Sequence, residues 1–179
     1  EIMNNYQKTF EEQGYVLVKN FIPKDVAKYL FEYLKFSIMG HMIAGNKNAI
    51  QGDDQVVGSY TRGHGDLALD SLMKQMKPKM EEVTGLELWP TYTYTRLYKK
   101  GNSLAHHTDR ESCEISCTVK LSDTGEENYN WPIWMKDAEY KLDKGDAVVY
   151  RGCDLDHWRE LCEAPEGWRM GQVFMHYVD

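Results

Sequence analysis

An α+β domain, with helices first and a β-rich sandwich, barrel or jelly roll after them, is what the sequence predicts, on three observations. Apolar residues in the first half recur at helical intervals. From Glu87 onward, short runs of β-branched and aromatic residues alternate with Gly, Asp and Asn, the pattern of strands divided by turns. The chain has 179 residues, no internal repeat and no linker-like tract, which fits one domain with a real core. Helices followed by strands lay the helices against one sheet. The helical part covers about residues 1–86 and the β part about 87–179.

Residues 3–13 have helical spacing, and Gly14 reads as their stop. Tyr15 to Asn20 follows as a β-branched strand. Pro23 suits the first turn of a second helix, whose Val26, Leu30, Tyr33 and Leu34 form an apolar stripe for the core. Residues 43–65 are rich in Gly, Asn and Asp and lack a period, the character of a lid or substrate loop that brings Tyr60, Arg62 and His64 toward a ligand. Asp66 reads as the N-cap of a third helix over 66–84, interrupted at Pro78 and ended by Gly85. Strands are expected at 88–98, 113–121, 130–135, 147–151 and 168–178.

Composition narrows the function. A formal charge of −7 opposes binding to a nucleic-acid backbone, which wants a basic face. No apolar run approaches membrane-spanning length, and the N-terminus lacks a signal-peptide pattern. Cys113, Cys117, Cys153 and Cys162 form no Cys-x-x-Cys pair and no structural zinc spacing, so they read as reduced thiols of a cytoplasmic protein.

The chemistry concentrates in His107-Thr108-Asp109 and in Asp156-His157-Trp158. Residues i and i+2 of a strand share a face, so His107 and Asp109 reach one metal while His106 and Thr108 turn away. A third ligand has to come from another strand, and His157 closes the run at 147–151 and beyond. Two imidazoles and one carboxylate on one side of Fe(II) leave the other side open for substrate and oxygen. The expected triad is therefore His107, Asp109 and His157. A second His-x-Asp, His64-Gly65-Asp66, lies between glycines where Asp66 is better used as a helix cap.

The run Tyr98-Lys99-Lys100-Gly101 through Ala105-His106-His107-Thr108-Asp109 resembles the Tyr-x-x-Gly-x-x-Tyr-x-x-His-x-Asp segment of the prolyl 4-hydroxylase family. The Lys144-Gly145-Asp146-Ala147 turn, the strand after it, His157, and a final strand carrying Arg169 resemble the rest of that signature. The resemblance covers about 87–179, and the N-terminal helices only in general order. It implies a double-stranded β-helix (jelly-roll or cupin-like) core, Fe(II) held by His107, Asp109 and His157, and 2-oxoglutarate and O2 as cosubstrates. The implied reaction couples oxidative decarboxylation to succinate with hydroxylation of a C–H bond, the leading target being a peptidyl proline or other protein residue.

The far carboxylate of 2-oxoglutarate wants a buried cation, and a guanidinium offers a planar fork for it. Arg169, on the face of Gly171, Val173, Met175 and Tyr177, is the first choice, with Lys120 second and Arg159 third. Lys120 stands where the resemblance places a carboxylate-binding tyrosine. Tyr98 matches a tyrosine near the cosubstrate, whereas the second such tyrosine is Leu104 here, which shifts recognition toward charge. Tyr92, Tyr94, Arg96 and Tyr98 share one strand face and suit a barrel mouth. Tyr94, Arg96, Trp134 and Arg159 are the candidate substrate-binding residues, with Trp131 and Trp158 as further apolar walls. Two other readings stay open: a hydroxylase of a free amino acid or small molecule, and a cupin-like metal- or sugar-binding barrel without turnover.

Overall fold

In the computed structural model the described residues are 3–45, 53–125 and 128–179, the side chains of 41 and 42 excepted. Three helices precede most of the strands: α1 (Asn5–Gln13), α2 (Lys24–Ile43) and α3 (Leu67–Thr84), with β1 (Tyr15–Val18) and β2 (Tyr60–Gly63) between them. The β part runs β3 (Trp89–Lys99), β4 (Leu104–His107), a 3-10 turn (Glu111–Cys113), β5 (Ile115–Asp123), β6 (Ile133–Met135), β7 (Ala138–Tyr140), β8 (Ala147–Arg151), β9 (His157–Arg159) and β10 (Arg169–Val178).

Local chemistry sets the helix ends. The Asn4 side chain accepts from Gln7 N, and the Asp66 carboxylate accepts from Ala68 N and Leu69 N, filling donors that the first turn leaves free. Gly14 and Gly85 take the left-handed conformation that stops α1 and α3, at φ 83° and 75°. Helix α3 continues through Pro78, contrary to the expected break. Pro78 and Lys74 are both exposed, so the carbonyl freed by the missing N–H can turn to water.

Six strands form one antiparallel sheet in the order β1-β8-β5-β10-β3-β2, and four form a second, β4-β9-β6-β7. Strand alternation gives the large sheet two apolar faces. Ile115, Cys117, Val119, Val173, Met175 and Tyr177 pack with Leu30, Phe31 and Leu34 of α2 and Met80 and Val83 of α3. The opposite face turns Tyr98, Met170 and Phe174 toward Leu104 and Trp131, while Val148 and Tyr150 meet Ile133 and Met135 of the small sheet. Helices cover one side and the small sheet covers the other, which is the predicted α+β arrangement and the layout of a double-stranded β-helix.

Two further details differ from expectation. Val26 is 39% exposed and lies off the buried stripe of α2, which instead includes Ala27, Leu30, Phe31, Leu34 and Ile38. Cys113 ends the 3-10 turn, so only Cys117 lies on β5, and all four cysteines are free thiols. Among the described residues no helix is long and apolar enough to cross a membrane.

Candidate metal centre

Strands β4 and β9 pair antiparallel, and His107 and His157 are direct partners in that register. Cross-strand partners project to the same face, so their rings meet with centroids 4.2 Å apart. Asp109 lies two residues beyond His107, past the end of β4 rather than on it. Its backbone N–H donates to Gly152 O at 2.8 Å, which ties it to the residue following β8. The carboxylate thereby swings back: Asp109 Oδ1 stands 3.4 Å from His107 Nε2 and 3.3 Å from His157 Nε2. Gly152 makes room for it, because a Cβ there would lie 2.6 Å from Asp109 Oδ2 and closer still to the Cys113 carbonyl.

The donor set fits a divalent metal. Two ligands on adjacent octahedral corners at about 2.1 Å stand roughly 3 Å apart, close to the observed separations. His107 Nδ1 lies 2.8 Å from Ala105 O and His157 Nδ1 2.8 Å from Leu155 O. A carbonyl can only accept, so each Nδ1 carries the proton and each Nε2 keeps its lone pair for the centre. Asp109 Oδ2 is buried and has no partner among the described residues. Burial alone would raise the Asp109 pKa, but His107 and His157 outweigh it and hold the carboxyl well below the usual carboxylate range. Burial likewise opposes charge on His107, and the bonds to Asp109 and the Ala105 carbonyl reverse that and raise its pKa.

The centre opens into a cavity of about 520 Å³. Leu104, Ile133, Phe174 and Tyr150 form its apolar wall, and His64, Tyr92, Tyr94, Arg96, Arg110 and His176 add polar groups. At the mouth, Asp53 Oδ2 accepts from Tyr94 OH at 2.7 Å and from Arg96 Nε at 2.9 Å, while Gln55 Oε1 accepts from Arg96 Nη2 at 2.6 Å. Burial opposes the Asp53 charge, yet Arg96 and Tyr94 lower its pKa. Burial first, and then Asp53, push the Tyr94 hydroxyl up to about 12. Asp109, Cys113 and His176 make a second close grouping. There Cys113 Sγ is engaged by Tyr92 OH at 3.0 Å and His176 Nδ1 by Ser116 Oγ at 2.6 Å.

His176 is 6% exposed, and burial, outweighing the pull of Asp109, lowers its pKa to about 4. The unfolded imidazole titrates near 6.5. In that interval the unfolded chain binds a proton that the native one refuses, so stability falls as pH drops from about 6.5 to 4, by up to about 3 kcal/mol. Urea denaturation of the metal-free protein across that range should show the decline, and His176→Asn should flatten it. An equal slope in both proteins would assign the loss to other groups.

Of the expected residues, the fold brings His107, Asp109, His157, Tyr94, Arg96 and His64 to the cavity. Tyr98 is buried beside it, edge-on to Trp131 at 5.0 Å. The structure turns Arg169 the other way. On β10 it shares the face of Gly171, where a Cβ would meet Phe31 and Leu34 of α2, and its guanidinium sits over Tyr60 at 5.9 Å. Lys120 points inward but is 2.6 Å from its own Asp123. Trp134 and Trp158 stack on the outer face of the small sheet, with ring centroids 5.7 Å apart, and His106 stacks on Trp158 at 3.8 Å. They brace the back of the histidine-bearing strands and do not line the cavity. Tyr60 and Arg62 also stand outside it, and Asp66 caps α3 while accepting from Tyr33 OH at 2.6 Å.

Part of the aperiodic 43–65 loop, residues 46–52, lies outside the described residues. Asp53, Gln55, Gly152, Tyr150 and His176 were not anticipated from sequence. For His176 a signal existed, since it alternates with Phe174 on the inward face of β10. Asp53 carries none, because nothing in a polar loop marks which carboxylate turns inward.

No protein-family model matches the sequence, and no curated protein sequence matches it. Solved structures are similar in fold. A prolyl-4-hydroxylase from Pseudomonas putida superposes with TM-score 0.67 at 15% identity, over 97% of each chain. The non-haem α-ketoglutarate-dependent carbocyclase SnoK of nogalamycin biosynthesis gives 0.72 at 12% identity, over 99% of this chain and 85% of that one. HygX from Streptomyces hygroscopicus, solved with nickel, 2-oxoglutarate and hygromycin B bound, gives 0.64 at 12% identity, over 98% and 87%. The likeness establishes the double-stranded β-helix fold.

Proposed function

We propose that the protein is a non-haem Fe(II)- and 2-oxoglutarate-dependent oxygenase that oxidises a C–H bond of its substrate. The observation that carries this reading is the cross-strand pair His107 and His157, with Asp109 Oδ1 3.4 and 3.3 Å from their Nε2 atoms, opening on one side into a cavity. A centre meant only to stabilise the fold is normally closed by four protein ligands, whereas three with an open side suit turnover. When bound, Fe(II) would supply the activation of dioxygen that couples decarboxylation of 2-oxoglutarate to oxidation of the substrate.

The chain's own groups have definable tasks. His107 and His157 present Nε2 lone pairs, fixed in direction by their Nδ1–H bonds to Ala105 and Leu155. Asp109 contributes the anionic ligand, already ionised. Leu104, Ile133 and Phe174 keep water from the apolar side. Tyr94, Arg96 and Asp53 frame the entrance. A cavity of about 520 Å³ that also holds 2-oxoglutarate suits one inserted side chain, a peptidyl proline among them, or a compact small molecule.

Aerobic incubation with Fe(II) and 2-oxoglutarate should release succinate, with release dependent on added iron and stimulated by proline-containing peptides or by a small-molecule acceptor. Metal binding with no succinate under any of these conditions would favour a cupin-like binding barrel instead.

A further inference from the structure

Arg159 is a buried cation with no counter-charge among the described residues. It lies on β9 two residues after His157, so both project from the same face of the strand. It is 3% exposed. Its Nη1 donates to Trp131 O at 3.0 Å, and its guanidinium lies over Trp131 at 4.9 Å and Tyr98 at 5.4 Å. Among the described residues its Nε has no partner. Among the described residues no carboxylate comes within ion-pair distance of it. An unpaired buried charge is costly, and a fold that retains one has a use for it.

Arg110, which lines the cavity, is exposed and donates to Tyr92 OH at 2.8 Å; three other basic groups are paired or turned away. Arg96 is held by Asp53 and Gln55, and Lys120 by Asp123. Arg169 shares the helix-covered face of β10 with Gly171 and lies over Tyr60, which leaves β10 presenting Met170, Gln172, Phe174 and His176 to the interior. A guanidinium has five donors, and Arg159 uses one of them within hydrogen-bond distance.

We infer that Arg159 holds the carboxylate of 2-oxoglutarate remote from the metal, so that the cosubstrate is anchored from the histidine-bearing small sheet rather than from β10. This rests on the oxygenase reading above. The lengths agree: a two-residue strand step is about 6.6 Å, and an extended five-carbon dicarboxylate measures about 5 Å between its terminal carbons. The cross-strand partner of Arg159 is Leu104, an apolar residue of the cavity wall. That side chain offers the carboxylate no hydrogen bond and so leaves its recognition to the guanidinium and to Tyr98.

Calorimetric titration of 2-oxoglutarate into the Ni(II)-loaded protein tests this without turnover. Arg159→Leu should weaken binding about 10- to 100-fold, Arg159→Lys should recover part of the loss, and Arg169→Ala and Lys120→Met should bind as the parent does. Pyruvate, which lacks the remote carboxylate, should bind parent and Arg159→Leu equally. The metal-free Arg159→Leu protein should also unfold at a higher temperature, since a lone buried charge is replaced by an apolar side chain; a purely structural arginine would make it unfold lower. If Arg159→Leu and Arg159→Lys both bind 2-oxoglutarate normally, the anchor is elsewhere and the oxygenase reading stands. If the parent itself takes up nickel but no 2-oxoglutarate, the cosubstrate reading fails with it.

Discussion

Replacing Asp109 with alanine is expected to abolish metal binding and turnover together while the protein stays folded. The carboxylate touches both imidazoles through Oδ1, and Oδ2 is buried with no partner among the described residues. Without it two neutral imidazoles remain, a pair too weak to retain Fe(II). Loss of partners around a metal site costs 10- to 100-fold in affinity, so loss of a ligand itself should exceed about 100-fold. The fold tolerates the change because the tie between Asp109 N and Gly152 O is a backbone bond that alanine retains. Burial works against the ionised carboxyl, but the imidazoles dominate and its pKa sits below the unfolded value. Its contribution to stability of the metal-free protein is therefore present above about pH 4 and is lost as pH falls further. The variant should lose that acid-side dependence. Metal titration and acid denaturation read the two effects separately, and a variant that kept parental metal affinity would move the centre away from Asp109.

Gly152→Val should be nearly as severe, through sterics. A Cβ at 152 would lie 2.6 Å from Asp109 Oδ2 and closer to the Cys113 carbonyl oxygen, which is backbone and cannot rotate aside. The carboxylate would be pushed off the axis between the two histidines, and the chain segment carrying Cys113 would shift. Overpacking of this kind typically costs about 1–3 kcal/mol, and metal affinity should fall well beyond what that loss explains. Gly152→Ala, with the same Cβ and nothing further, should show a smaller form of both effects. A folded Gly152→Val protein with full metal affinity would mean that this close approach does not position Asp109.

Much of this arrangement is legible in the residues because it is encoded locally. Asp66, Gly14 and Gly85 mark helix ends by their own hydrogen bonding and backbone preference, and the period-two row Tyr92, Tyr94, Arg96, Tyr98 does face inward. Strands β2, β4, β7 and β9 contain three or four residues each, too few to carry a period. They exist through pairing, as β4 does with β9. The triad was nonetheless visible as residue types and order, although Asp109 reaches the site past the end of β4.

The cation was harder to read. Alternation divides β10 into the faces of Arg169 and Met170, but only the packing of Phe31 and Leu34 against Gly171 says which face the helices cover. Arg159 ranks third by sequence because a strand of three residues gives no hint of its depth.

On the proposed function, His107, Asp109 and His157 together hold one divalent ion with room for a chelating keto acid beside it. Anaerobic addition of Fe(II) and 2-oxoglutarate to the metal-free protein probes that arrangement without turnover. Chelation of ferrous iron by a 2-keto acid in a protein site produces a visible charge-transfer absorption. This band should appear at one equivalent of iron, need both additions, and be missing from His157→Ala. Absence of the band from the parent protein, or its undiminished presence in His157→Ala, would mean that these three side chains do not hold the iron.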